Sequence, residues 1–237
     1  MSNEVKHWHV TYNDIHNLIR KCTPKIASEF NPDLLLAIGM FFHASFPPLH
    51  VCSNRNTIQV EGQFQLLLLG FFPARVMRTF LREQTTNKTL QIQAIGLSLY
   101  EPVEGTSAEQ IGQEVIRTQW LGADAGKMLV GKRILIVDEV DDTRKTLGYA
   151  LSELQKDVEA ELLNHPESQR DALRAATKFG IFVVHNKKKP KLAELPPGTP
   201  YYAGADVDDL WLDYPWEATN IEEHDQLAAL DVKNASP

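Results

Sequence analysis

Continuous apolar runs alternate along this chain with segments of helical period. From Tyr12 to Phe30 the apolar residues Ile15, Leu18, Ile19, Cys22 and Ile26 recur three and four positions apart, the signature of one helical face. This pattern opens at Thr11–Asp14 and closes before Asn31-Pro32, since the residue ahead of a proline is driven out of helical conformation. Asp33-Leu-Leu-Leu-Ala-Ile-Gly39 has the unbroken apolar character of a strand buried on both faces, and its final glycine suits a tight strand-to-helix turn. Pro73 opens a second helix through Val76, Met77, Phe80 and Leu81, and Leu90–Leu99 is the next strand. Residues 100–118, rich in Glu, Gln, Gly, Ser and Thr, are expected to be a mobile excursion. Ile134-Leu-Ile-Val137 is another doubly buried strand, feeding a helix (Leu147, Ala150, Leu151, Leu154) that runs to Leu163. A last strand covers Phe179–Val184. Strands alternating with helices predict an α/β fold, a twisted and mostly parallel sheet flanked by helices. From Lys187 onward six prolines break the pattern, so a core of residues 1–186 and a small irregular subdomain of residues 187–237 are expected.

One stretch fits neither period. Met40–Leu69 mixes Pro47-Pro48, Cys52 and Asn54–Asn56 and ends in Leu66-Leu-Leu-Leu69, where a strand-to-helix connection ordinarily takes roughly two to six residues.

Composition narrows the class. An apolar content of 43% supports a real core, and a net charge of −7 argues against a general binder of nucleic acid or anionic membranes. Cys22 and Cys52 are too few for a disulfide framework or a zinc site, as expected of a reducing compartment. Met1–His9 is polar, unlike a signal peptide, and the apolar run Leu66–Pro73 is too short to span a bilayer. A soluble cytoplasmic protein is therefore expected. The histidines offer no ligand spacing: His7 and His9 lie near a terminus expected to fray, and His185 at a strand end reads as structural.

The chemistry concentrates after Val137. Asp138, Glu139, Asp141 and Asp142 fall within five residues, followed by Thr143 and Thr146 around Arg144 and Lys145, and then by a helix. A strand, a turn of hydroxyls and backbone N–H groups, and a helix N-terminus make a cradle for a phosphate monoester. Carboxylates just ahead of it suit sugar hydroxyls and a hard divalent cation. A phosphorylated ribose carrying a pyrophosphate would use all of these. The bland alternative is an acidic turn in which Asp142 and Thr143 are ordinary helix caps. A response-regulator receiver is set aside, because Phe179–Val184 ends in His185-Asn186 and not in the required aspartate.

The segment Ile134–Thr146 resembles the motif of type I phosphoribosyltransferases that binds 5-phosphoribosyl 1-pyrophosphate (PRPP), with its apolar strand, acidic pair and Asp-Thr-x-x-Thr loop. Asp209-Leu-Trp-Leu-Asp-Tyr-Pro-Trp-Glu217 resembles the base-recognition segment of the xanthine–guanine kind of these enzymes. Gln93–Glu101, Ile116–Trp120 and Asn220–His224 are similar to the fungal xanthine and hypoxanthine-guanine enzymes, with a lean toward xanthine from the last. The resemblance implies a 6-oxopurine phosphoribosyltransferase of purine salvage with Mg²⁺ as cofactor, a homodimer, and a C-terminal hood over the base. Asp138 and Glu139 would hold the ribose hydroxyls and the metal. Asp142 would be the catalytic carboxylate beside the imidazole edge of the purine; Asp141 would count among the PRPP-binding residues, with a plain solvent-facing carboxylate as its alternative. Thr143, Arg144, Lys145 and Thr146 would cradle the 5′-phosphate, although the family usually has glycine at position 144. Lys187 would donate to the purine O6, with Lys188 and Lys189 a solvated run. Trp211 would stack on the base, with Leu212, Asp213 and Glu217 beside it; the plain alternative makes Trp211 and Trp216 core anchors. Tyr100 and Arg117 would belong to a loop closing over the site, where exclusion of water suppresses hydrolysis of the donor. Gly39 and Gly70 would be the remnants of a glycine-rich pyrophosphate loop. Residues 40–69 interrupt that loop, and Gly39-Met40-Phe41-Phe42 is what reading through a GTATGT-type splice donor yields. Two readings of the segment stay open, a retained intron foreign to the working protein and a genuine inserted loop. Two functions also stay open, the enzyme and a catalytically impaired PRPP- or nucleotide-binding regulator.

Overall fold

The computed structural model describes residues 6–42, 65–67, 70–99 and 115–235. In chain order the elements are β1 (His7–His9), α1 (Tyr12–Glu29), β2 (Leu34–Phe42), β3 (Gln65–Leu67), α2 (Phe71–Gln84) and β4 (Gln91–Leu99). Then follow β5 (Val115–Gln119), α3 (Ala125–Leu129), β6 (Arg133–Asp141), α4 (Lys145–Leu162) and α5 (Glu167–Ala176). The chain closes with β7 (Lys178–Lys187), β8 (Tyr201–Val207), β9 (Trp211–Asp213) and α6 (Ile221–Ala235).

Among the described residues the main sheet runs β5-β4-β2-β6-β7-β8, with β3 attached to β2 off this path. Strands β4, β2, β6, β7 and β8 are mutually parallel, and β5 and β3 are antiparallel to their neighbours. The central strands are buried on both faces, as their unbroken apolar runs require. Leu35, Ala37, Leu135, Val137, Phe182 and Val184 pack toward α1 and α2. Leu34, Leu36, Ile38, Ile134, Ile136, Ile181 and Val183 pack toward α4. At about 1.5–3 kcal/mol per fully buried aliphatic or aromatic side chain, these two layers are the main source of stability. The start of α1 is fixed by a capping box, in which Asp14 N–H donates to Thr11 Oγ1 (3.2 Å) and Thr11 N–H to Asp14 Oδ2 (3.1 Å).

Several expectations are corrected here. Gly39 is not a turn glycine: β2 continues to Phe42, and Gly39 pairs with Gly96 of β4. Part of the expected excursion is strand β5; residues 100–114, Tyr100 with them, lie outside the described residues. The stretch after Lys187 is not irregular, because β8 joins the main sheet, β9 pairs with β1, and α6 packs on β1. His7–His9 is not a loose end, since it forms β1 with partners Trp211–Asp213. Of the interrupting segment, residues 40–42 and 65–67 form an antiparallel pair, and 43–64 and 68–69 lie outside the described residues.

Candidate active site

The C-terminal end of β6 carries the acidic residues, and alternation along the strand sends Asp138 and Glu139 to opposite faces of the sheet. Both are buried. Burial pushes Asp138 up to about 7, opposed by a hydrogen bond from the Glu139 N–H (2.9 Å). Burial also holds Glu139 well above the usual carboxylate range, with Glu217 and Asp138 adding to the shift and the Trp216 indole N–H (3.0 Å) opposing it. Glu217 is exposed, and the partly desolvated setting of its carboxyl raises it too. Desolvated carboxylates of this kind gain most from a hard cation, which stabilises their ionised form. Among the described residues, no group of three or more His, Cys, Asp or Glu is arranged around one point as a metal site. A buried carboxylate at this strand end would nonetheless suit Mg²⁺, which is commonly held by one or two carboxylates together with phosphates and waters.

The loop after β6 is tied down on one side. Asp141, read as a PRPP contact or else as facing solvent, is buried and bonded within the protein. Its Oδ2 accepts from Arg144 Nε and Nη2 (2.9 Å each) and from the Tyr201 hydroxyl (2.8 Å). Arg144, expected at the phosphate, lays its guanidinium on Asp141 and over the Tyr201 ring, 5.0 Å from the centroid. Lys145 begins α4, so Thr143 and Thr146 straddle the helix N-terminus, where unpaired N–H groups and the helix dipole favour an anion.

Asp142, half exposed, lies 2.8 Å from Lys189 Nζ and 3.8 Å from Lys187 Nζ. Lys187 in turn is 3.7 Å from Asp209, and Lys189 is 3.0 Å from it. Lys189 is therefore part of the site and not of a solvated run, whereas Lys188 is exposed beside Asp208. The motif loop and the C-terminal segment Asp209–Glu217 thus meet around two lysines at one end of the sheet.

On the hood, Trp211 is 58% exposed and is no core anchor. Leu212 is buried in the core, pairing with Trp8 in the two-stranded sheet. The Asp213 carboxylate is turned away, bound to His7 Nδ1 (2.7 Å) and 3.8 Å from His9 Nε2. Trp216 is sandwiched between Tyr214 (centroids 4.9 Å, planes 7° apart) and Phe72 (5.4 Å, 4°). It borders a cavity of about 280 Å³ shared with Tyr12 and Val76. Beneath the hood the Tyr214 hydroxyl donates to Glu139 O (3.1 Å), so the His185 Nδ1–H donates to Tyr214 Oη (2.8 Å). Burial then pushes His185 down to about 4, in keeping with its expected structural role.

Three expected PRPP contacts are not brought to the cradle. Arg117 sits on β5, its guanidinium on Glu153 (2.9 Å) and over the Trp120 ring, about 12 Å along α4 from Lys145 at roughly 1.5 Å per residue. Gly70 N–H is taken by Ile38 O (2.8 Å), and its Cα is wedged against the backbone of Ile38 and Val137, a packing glycine. Gly39 is within β2. Sequence reasoning missed Lys191, whose Nζ donates to the carbonyls of Asp141 (2.7 Å), Asp142 (2.9 Å) and Lys187 (3.0 Å). Its only signal was its place four residues after Lys187, masked by the lysine run. Tyr201 and Tyr214 carried no local signal, because their partners lie 60 and 75 residues away in sequence.

No protein-family model matches the chain. Among curated proteins it is similar to the hypoxanthine-guanine phosphoribosyltransferase of Schizosaccharomyces pombe, 46% identical over 227 residues and covering 92% of this chain and 93% of the relative. It is also similar to xanthine phosphoribosyltransferase 1 of Saccharomyces cerevisiae, 40% identical over 237 residues, covering 95% and 96%. Among solved structures, a hypothetical protein from Neisseria gonorrhoeae with bound ppGpp matches at TM-score 0.65 and 29% identity, over 97% of this chain and 99% of that one. The purine phosphoribosyltransferase of Pyrococcus horikoshii shares the fold at TM-score 0.52 and 17% identity, over 91% and 97%.

Proposed function

Because the chain belongs to the purine phosphoribosyltransferase family that includes the fungal hypoxanthine-guanine and xanthine enzymes, we propose that it transfers the 5-phosphoribosyl group of PRPP to a 6-oxopurine, releasing pyrophosphate. The observation that carries this reading is the convergence of Asp142, Lys187 and Asp209, which joins the phosphoribosyl motif to the base-recognition segment.

In this reading the 5′-phosphate docks on the N–H groups at the start of α4, with Thr143 and Thr146 as hydroxyl donors. The end of β6, with Asp138 and Glu139 on its two faces, borders the ribose, and Mg²⁺ held there with the pyrophosphate would supply positive charge to the leaving group. The anionic strand end stabilises the oxocarbenium-like centre that develops at C1′ as pyrophosphate departs. Lys187 Nζ donates to the purine O6, and its pairing with Asp142 sets the spacing between the base's six-membered ring and its imidazole edge. Asp142 there accepts the proton that the purine loses on forming its new bond. Trp211 supplies an exposed aromatic face for stacking. A homodimer in the cytoplasm completes the proposal.

Asp142→Asn tests it. The substitution keeps the neighbouring lysines hydrogen-bonded but removes the proton acceptor, so turnover should fall roughly 10²–10⁴-fold, the usual worth of a positioned base. Steady-state kinetics with saturating PRPP and base give the answer. Turnover like that of the unaltered protein would take Asp142 out of the mechanism.

A further inference from the structure

Arg144 occupies the left-handed region, φ 67° and ψ 1°, a conformation that suits glycine and strains a long L side chain. Something must hold it there, and the contacts are specific. Both Arg144 Nε and Nη2 donate to Asp141 Oδ2, and the guanidinium plane covers Tyr201, whose hydroxyl donates to the same oxygen. The other carboxylate oxygen, Oδ1, lies 3.4 Å from Lys191 Nζ. The backbone is gripped as well: Lys191 takes the carbonyls of Asp141 and Asp142, and Leu192 N–H donates to Thr143 O (2.9 Å). Every carbonyl from 141 to 143 is therefore bonded to residues 191–192, while the side chain at 144 is bonded to 141 and stacked on 201.

We propose that Asp141, Arg144, Tyr201 and Lys191 form a clamp that presets the phosphate cradle, with Arg144 a positioning residue and not a ligand of the phosphate. The four side chains bend residue 144 into the left-handed turn, and that turn aims the N–H groups of residues 143–146 at one point. The inference rests on the reading of this loop as the 5′-phosphate site. It also explains how a non-glycine residue is tolerated at the tightest point of the loop: the strain is offset by a partly buried, charge-assisted network around the buried Asp141.

The clamp predicts that glycine and alanine at position 144 behave oppositely. Arg144→Gly loses the guanidinium but adopts positive φ without strain, whereas Arg144→Ala loses the clamp and keeps the strain. Titrating the full-length chain with ribose 5-phosphate, Arg144→Ala should bind about tenfold more weakly and Arg144→Gly within about threefold of the unaltered protein. Asp141→Asn should weaken binding about tenfold with Arg144 present but have little effect on top of Arg144→Gly. Equal losses for Arg144→Gly and Arg144→Ala would make Arg144 a phosphate ligand and overturn the proposal. Amide hydrogen exchange over residues 142–148 without ligand gives a second, independent readout. Exchange should quicken in Arg144→Ala and Asp141→Asn and stay slow in Arg144→Gly. If exchange follows this pattern but ribose 5-phosphate does not bind the unaltered protein, the clamp stands and the phosphate reading fails. If exchange is the same in all variants, the clamp itself is refuted.

Discussion

At the scale of single residues, exposure separates the two tryptophans of the proposed base-recognition segment. Trp211 is 58% exposed, so Trp211→Ala removes little packing and should leave the melting temperature nearly unchanged. It should raise the KM for the purine much more than that for PRPP, since base–aromatic stacking is worth about 1–3 kcal/mol. Equal KM increases for both substrates would contradict the assignment. Trp216, by contrast, is stacked on both faces and bonded to Glu139, and Trp216→Ala should lower the melting temperature. His185 makes a pH prediction. Folding holds it neutral, with its pKa lowered to about 4 from the ordinary 6.5, so the unfolded chain takes up the proton first. This contribution is fully present above pH 6.5, is lost as the pH falls toward 4, and amounts to about 3 kcal/mol at about 1.4 kcal/mol per pH unit. Asp138, raised to about 7, gives the opposite slope over much of the same range. Denaturant unfolding of the protein and of His185→Asn, which retains a donor toward Tyr214, isolates the histidine. The stability lost between pH 7 and pH 4.5 should be smaller in His185→Asn. An identical pH dependence would mean that His185 is not held neutral.

Among the elements, the central strands were legible because Asp33–Gly39, Ile134–Val137 and Phe179–Val184 have no polar face to place in solvent. The phosphate loop was legible for a similar reason, its chemistry being packed into Asp138–Thr146. Elements that depend on distant partners were not. β8 reads Tyr-Tyr-Ala-Gly-Ala-Asp-Val and becomes a strand because β7 offers a parallel edge. The three residues of β1 need β9. Lys191 matters only because the chain after β7 folds back across the start of α4. The interrupting segment belongs to this scale too. β2 runs on to Phe42, yet the Gly70 N–H still reaches Ile38 O at 2.8 Å, so the chain on either side of residues 40–69 is close together. β3 pairs with β2 alone, off the main path of the sheet. Replacing residues 40–69 by a short glycine turn should therefore leave the fold intact. It should also strengthen Mg-PRPP binding, because a compact turn would present several charge-assisted N–H donors at ~1.5–3 kcal/mol each. Calorimetry on the two forms measures this. Equal affinity would make the segment a tolerated surface loop.

For the whole molecule, the doubly wound sheet brings three separate stretches of sequence to one end of its strands. The phosphoribosyl motif ends β6, the lysines end β7, and the base-recognition segment follows β8. Parallel β6, β7 and β8 release these at the same end of the sheet, where α/β folds place their ligands. Which purine fits best depends on hydrogen bonds at the 2-position, and the relatives include both hypoxanthine-guanine and xanthine enzymes. The transfer reaction is tested by pyrophosphate release from Mg-PRPP with xanthine, guanine or hypoxanthine, followed in the 237-residue chain and in the form with residues 40–69 replaced. Release should require a purine base, be matched mole for mole by nucleoside monophosphate, be faster in the shortened form, and collapse in Asp142→Asn. Release that proceeds equally without any base, or no nucleotide from either form with any of the three bases, would contradict it.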